Sequence, residues 1–300
     1  MVRAGLCQET GRLGELNMLL DRAAVQRIVA SALAEDLGWG DVTTEGLIEP
    51  DLKGVAQLMA KEEGILAGIT VAASVFTTAD PALQVEVIVP DGSRVEPGAL
   101  LAVVRGPLAS MLKAERVALN FVQRLSGIAT VTSRYVAAVA GTGARIVDTR
   151  KTTPNLRFLE KYAVRVGGGF NHRFCLSDGV LIKDNHLAAV RATGRSLADA
   201  VRGVRQRVPH TVRIEVEVEL LAEVEEALAA GADAILLDNM DIAGMRRAVG
   251  LIAGQAIIEA SGGINLDTVR AVAECGVDLI SVGALTHSAK ALDISMEMDS

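Results

Sequence analysis

The sequence predicts an α/β protein whose second half is built on parallel strands, as an α/β barrel or an open α/β sheet. Three observations lead there. From about residue 143, short β-rich runs alternate with helical stretches. The polar ends of successive runs are evenly spaced: Glu217 to Asp238 is 21 residues, Asp238 to Ser261 is 23, and Ser261 to Gly283 is 22. A strand, a helix and two short loops fill that length when strands are parallel. Every run also ends in a polar or glycine residue: Asp148, Lys183, Glu217 to Glu219, Asp238, Glu259 to Gly263, and Gly283. The C-terminal ends of parallel strands are where such folds gather their sites.

Taken in order, residues 1–18 read as an extension without a signal-peptide core. A helix is expected at about 21–36, and GWGDVTTEGLI (38–48) reads as a loop of turn formers. Apolar runs broken by Gly and Pro follow, GVAQLMAKEEGILAG (54–68) and LQVEVIVPDGSRVEPGALLAVVRG (83–106). The alternation of Val85, Val87 and Val89 before a PDG turn predicts antiparallel strands. Residues 108–140 predict a long helix broken near Gly127. Then come the β runs RIVDTRKT, GVLIKDNH, RIEVEVE, AILLDNM, AIIEASGGI and LISVGAL, with helices such as 221–232 and 266–276 between them. In the latter, Val269, Val272 and Cys275 share one face.

Composition narrows the function. Half of the 300 residues are apolar but only 3% are aromatic, so the core is aliphatic. Thirty Lys and Arg against 37 Asp and Glu give −7, with few stacking platforms, which argues against nucleic-acid binding. Cys7, Cys175 and Cys275 are scattered and form no CxxC, which fits a reducing, cytoplasmic setting. No apolar run is long enough to predict a membrane span.

Charge is unevenly distributed. Between Thr142 and His186 eight Lys or Arg face four acids, so that window is +4 and the rest of the chain is −11. A basic island in an acidic chain points to a small anionic ligand. In DTRKTTPN, Thr152 or Thr153 can cap a helix that starts at Pro154, which would set Arg150 and Lys151 beside a helix N-terminus, a place that suits anions. In GGGFNHRF, Gly167, Gly168 and Gly169 allow close backbone approach, and His172 with Arg173 offers donors to a carboxylate. Lys183 ends a buried strand, where an ammonium needs an anion. Glu215, Glu217 and Glu219 alternate with Ile214, Val216 and Val218 and so share one face of a strand. With Asp238, such carboxylates suit cations, ribose hydroxyls or Mg²⁺ on a pyrophosphate. Ser261, Gly262 and Gly263, with Gly283 one unit later, predict a phosphate site made of backbone N–H groups. Arg116 lies in an apolar helix, where a buried guanidinium needs an anion, from Glu115 or from elsewhere.

From about Ala34 to Ile294 the linked set EDLGWGDVTT, ERVALNFVQRLSGIAT, DTRKTTPNLRFLEKYAV, GGGFNHRFCLSDGVLIKDNH, EVEVE, LLDNM, EASGGI and SVGALTHS resembles the type II phosphoribosyltransferases. Specifically, it resembles the carboxylating nicotinate-nucleotide pyrophosphorylases, or quinolinate phosphoribosyltransferases. The resemblance implies an incomplete, TIM-like α/β barrel over 129–287. It also implies an N-terminal α/β sandwich domain over 1–128 that is joined by the tail 288–300. The implied enzyme joins quinolinate to phosphoribosyl pyrophosphate, releasing CO2 and pyrophosphate and forming nicotinate mononucleotide for NAD synthesis. By resemblance, Arg150, Lys151, His172, Arg173 and Lys183 form the cationic pocket, and Glu217 and Asp238 sit near the ribose and Mg²⁺, in direct or indirect contact. Ser261 to Gly263 and Gly283 would take the 5′-phosphate. Lys151, Lys183, Glu217 and Asp238 are the implied catalytic set, with Thr149 among the substrate contacts. A homodimer or hexamer with shared sites is implied too, in which Arg116 serves the neighbouring subunit. A related enzyme with another aromatic acid as acceptor shares these motifs, and a non-catalytic phosphate-binding barrel would keep only part of them. A biotinyl or lipoyl carrier, suggested by DGSRVEPGALLAVV, is excluded because its PDGS turn holds no lysine.

Overall fold

The computed structural model describes residues 20–298, which divide between two compact units. The first comprises the chain to Ser133, Thr152–Gly168 and the chain from Leu285; the second comprises Arg134–Lys151 and Gly169–Ala284.

The first unit opens on helix α1 (Arg22–Leu37), whose first amides are capped by the Asp21 carboxylate. A short helix α2 (Val42–Leu47) occupies the stretch expected as loop. The reason is Asp41, whose carboxylate accepts the Thr43 and Thr44 amides and so starts a helix among turn formers. The sheet contains β1 (Lys53–Ala60), β3 (Gln84–Val87), β5 (Leu100–Pro107) and β12 (Ile294–Met298), in the order β12-β1-β5-β3, every pair antiparallel. β2 (Gly64–Ile65) and β4 (Arg94–Val95) form a separate pair. Between them runs α3 (Ile69–Ala79). Asp91, in the PDG turn, is buried: it accepts the Ile69 amide at 2.9 Å and the Tyr162 hydroxyl at 2.6 Å. Burial raises its pKa, and the Tyr162 and main-chain hydrogen bonds offset part of that.

Helix α4 (Leu108–Ala138) is continuous, without the break expected near Gly127. Glycine is needed there for proximity, since a Cβ at 127 would lie 2.0 Å from the Lys290 carbonyl oxygen. Helix α5 (Arg157–Val166) begins three residues later than the Pro154 start predicted by the TTP motif. Asn155 takes φ 65°, which interrupts any helix started at Pro154. Thr153 then donates instead of capping: its amide and hydroxyl reach the fully buried Glu160 carboxylate at 3.1 and 2.7 Å. Arg124 donates to the same carboxylate from Nε at 3.1 Å and Nη2 at 2.8 Å.

The second unit holds six parallel strands: β6 (Arg145–Val147), β7 (Val180–Ile182), β8 (Ile214–Val218), β9 (Ala234–Asp238), β10 (Ile257–Ser261) and β11 (Leu279–Ser281). Their order is β6-β11-β10-β9-β8-β7. Phe170 adds a parallel bridge to Val147, on β6. Neighbours therefore follow chain order around a ring left open between Phe170 and β7, an incomplete α/β barrel. Helices α6 (Asp184–Ala192) and α7 (Leu197–Arg205) connect β7 to β8. Then α8 (Leu221–Ala229), α9 (Ile242–Ile252) and α10 (Val269–Ala273) occupy the next three connections. Ile146, Ile182, Ile214, Val216, Val218, Ile235, Leu237 and Ile280 are buried, so the strands are packed by aliphatic side chains as the composition predicts.

Candidate active site

Within the second unit a cavity of about 370 Å³ opens at the C-terminal ends of the parallel strands. Thr149, Arg150, Lys151, His172, Arg173, Lys183, Glu217, Asp238 and Ser261 all line it. Each of these is among the site residues expected from the sequence. Lys183 directly follows β7, Asp238 ends β9 and Ser261 ends β10, so the strand ends deliver them as their spacing predicts. Gly262 and Gly263 continue from Ser261 with φ 93° and 62°. Gly283 lies two residues beyond Ser281, another lining residue.

Lys183 meets its expected anion: its Nζ is 2.5 Å from Glu217 Oε2. The glycine-rich stretch is tied down by Asp148, fully buried just after β6. Asp148 accepts the His172 main-chain amide at 2.8 Å and the Asn171 side-chain amide at 2.7 Å. Arg173 is anchored by a 3.0 Å bond from Nη1 to the Gly179 carbonyl. On the opposite rim Asn239, in the left-handed region at φ 52°, donates from its side chain to Asp238 Oδ2 at 2.9 Å. Its amide donates to the Ser261 carbonyl at 3.0 Å, so one turn holds both Asp238 and Ser261.

The carboxylates of β8 separate. Glu217 lines the cavity, Glu219 lies exposed beyond the strand, and Glu215 is buried against His172. His172 Nε2 is 3.1 Å from Glu215 Oε2 and 3.3 Å from Glu259 Oε2. Burial works against a charge on the ring, but hydrogen bonds and charge from both glutamates outweigh it and push its pKa up to about 10. The three side chains bring their ligand atoms within 4.8 Å of one another. The sequence marks Glu215 only as one of three carboxylates on a strand face, and Glu259 only as the start of a polar strand end. Alternation puts Glu215 on the right face, but no pattern shows that Glu259, two strands away, reaches the same nitrogen.

Arg116 requires a correction. Helix α4 is buried through Val117, Ala118, Leu119, Phe121 and Val122, yet Arg116 points to its exposed side. An exposed guanidinium needs no local anion, so burial gives no argument for its role. It makes no ion pair among the described residues, with Glu115 or any other acid.

An incomplete α/β barrel with cations and carboxylates converging at its strand ends has the build of an enzyme for small polyanionic substrates. The chain belongs to the quinolinate phosphoribosyltransferase family. The model of that family's N-terminal domain matches residues 41–126 and that of its C-terminal domain matches residues 128–297. The chain is 43% identical to a probable carboxylating nicotinate-nucleotide pyrophosphorylase of Bacillus subtilis, over 93% of this chain and 95% of that one. A protein of the same name from Synechocystis is 47% identical over 89% and 90%. Among solved structures, NadC from Streptococcus pyogenes superposes with a TM-score of 0.88 at 45% identity, covering 93% of this chain and 98% of the other. Among the described residues no helix is long and apolar enough to cross a membrane.

Proposed function

We propose that this enzyme transfers the phosphoribosyl group of phosphoribosyl pyrophosphate to the ring nitrogen of quinolinate. It releases pyrophosphate and CO2 and yields nicotinate mononucleotide for NAD synthesis. The observation that carries the reading is the convergence of Arg150, Lys151, His172, Arg173 and Lys183 with Glu217 and Asp238 in one cavity. Quinolinate is a dianion, and charge-assisted bonds from Arg173, Arg150 and His172 suit its two carboxylates. Ser261, Gly262, Gly263 and Gly283 offer backbone amides to the 5′-phosphate. Lys151 and Lys183 stabilise charge on the departing pyrophosphate, while Glu217 and Asp238 face the ribose and its developing positive charge. The pyridine nitrogen attacks C1 of the ribose as the C1–O bond to pyrophosphate breaks. The N-alkylated ring then accepts the electron pair of the C2–carboxylate bond. CO2 leaves and C2 takes a proton. Positioning and electrostatics supply the catalysis, with no covalent enzyme intermediate.

The donors suit Mg²⁺. Glu217 and Asp238 bring carboxylate oxygens from adjacent strands, and Mg²⁺ is commonly held by one or two carboxylates together with waters and substrate phosphates. Bound there, it would neutralise the pyrophosphate. The protein would act as a cytoplasmic homodimer in which Arg116, exposed and without an ion pair among the described residues, reaches the neighbour's acceptor. The test is turnover. With Mg²⁺ present, quinolinate and phosphoribosyl pyrophosphate should give nicotinate mononucleotide, nicotinate should not replace quinolinate, and excess EDTA should stop the reaction. Equal use of nicotinate would overturn the acceptor, and full activity in EDTA would overturn the role of Mg²⁺.

A further inference from the structure

Glu259 lies in the interior of β10 and is 1% exposed, and Glu215 on β8 is 8% exposed. Strand β9 separates them in the sheet, yet both carboxylates reach the same nitrogen of His172, at 3.3 and 3.1 Å. Two buried carboxylates facing one nitrogen favour a positive charge on it. The ring can carry that charge. Other charges near it are Asp148, which takes the His172 main-chain amide, and Arg173, which itself feels Arg150. Neither arginine can replace a proton on Nε2, because both are donors only.

We propose that Glu259 is a positioning residue: from the wall of the cavity, 3.3 Å from Nε2, it keeps the His172 ring in place as an imidazolium whose charge faces an acceptor carboxylate. This rests on the reading of the cavity as a quinolinate site. An imidazole with Nε2–H fixed by carboxylates has its tautomer decided, and the remaining proton sits on Nδ1. An ordinary histidine loses that second proton near pH 6.5, and with it the charge. Clamped as it is here, with its pKa pushed up to about 10, His172 keeps it through neutral pH. The pocket therefore binds its dianion with a strength that does not follow the intracellular pH.

The test reads the ring directly and then reads binding. The chain has four histidines, so the His172 ring resonance is assigned in the intact protein by comparison with His172→Gln. Its shift should stay flat from pH 6 to about pH 9. In Glu259→Gln the midpoint should fall by at least about one unit. Calorimetric affinity for quinolinate should be steady over that range in the parent protein. In the variant it should weaken about tenfold for each pH unit above the new midpoint. Glu259→Asp, which keeps the charge, should restore part of the parent profile. A parent ring that titrates near pH 6.5, an unchanged midpoint in Glu259→Gln, or parallel affinity profiles would each overturn the proposal. Should Glu259→Gln not fold, the parent titration and Glu259→Asp still decide it. If the rings behave as expected and quinolinate binds nowhere, the functional reading fails while the clamp on His172 stands.

Discussion

Replacing Gly262 with alanine should damage both stability and turnover. At φ 93° an L-residue is strained, at a cost of about 1–3 kcal/mol. The new Cβ would lie 2.2 Å from Asn239 Oδ1, 2.6 Å from its Cγ and 2.8 Å from its main-chain nitrogen. Rotating the Asn239 side chain would relieve the first two contacts but break its 2.9 Å bond to Asp238. Rotation cannot relieve the third, so the turn itself must move. The combined loss should be about 3 kcal/mol in urea denaturation, with strain as the larger part. Because Asp238 and Ser261 are held by that turn, a shift approaching 1 Å should lower kcat/KM about a hundredfold. Gly263 is a control within the same loop: it has φ 62°, and a Cβ there would meet no atom within 4 Å. Gly263→Ala should cost only about 1–2 kcal/mol. Adding Asn239→Gly to Gly262→Ala should recover only the small part of the stability lost to the two side-chain contacts and none of the rate, since the main-chain contact and the strain remain and the bond to Asp238 is gone. Equal behaviour of the two alanine variants would refute the argument.

Three further outcomes follow from other parts of the structure. Glu160→Ala leaves Arg124 without its buried partner and Thr153 without an acceptor, so it should cost on the order of 3–5 kcal/mol in urea denaturation. Pairing it with Arg124→Ala should cost less than the sum of the two single changes. Arg116→Ala and Lys151→Ala should each be nearly inactive, and mixing them should restore activity as dimers form with one intact site. Mixed dimers that form and stay inactive would place Arg116 outside the neighbour's site. His172 has a folded pKa above its unfolded value, so its protonation stabilises the fold fully below about pH 6.5 and progressively less as pH rises toward 10. Denaturation midpoints of the parent protein and His172→Gln should therefore converge between those limits, and a constant gap would contradict the assignment.

The parts of the site carried by strand ends are legible in the sequence. Lys183 ends an apolar run, and Glu217, Asp238 and Ser261 recur at intervals of 21 and 23 residues; a parallel sheet sends such residues to one end. Partners that arrive from elsewhere are not legible. Glu259 sits inside a strand, and its partner His172 is 87 positions away in the chain. Asp91 reads locally as a turn residue, but its partner Tyr162 is 71 positions away. The start of α5 is misplaced by the sequence because Thr-Thr-Pro resembles a cap, and nothing local announces that Asn155 turns left-handed and that Glu160 claims Thr153. Arg116 misleads for a related reason. An apolar neighbourhood in sequence says that a helix has a buried face, not that a given side chain is on it.

The pairing of β12 with β1 bears on how the molecule is made. Lys61 and Glu297, which form an ion pair beside this seam, are 236 positions apart. At about 5–20 residues per second, a ribosome needs on the order of 10–50 s to travel that distance. Once Leu100–Pro107 is made β1 can pair with β5, but its other edge stays open, with the main-chain groups of Ala56 to Ala60 awaiting β12. That stretch includes Leu58 and Met59, an apolar edge of the kind that invites pairing with a stranger. The intervening barrel strands are all synthesised before the seam can close. β12 thus acts as a latch that covers this edge.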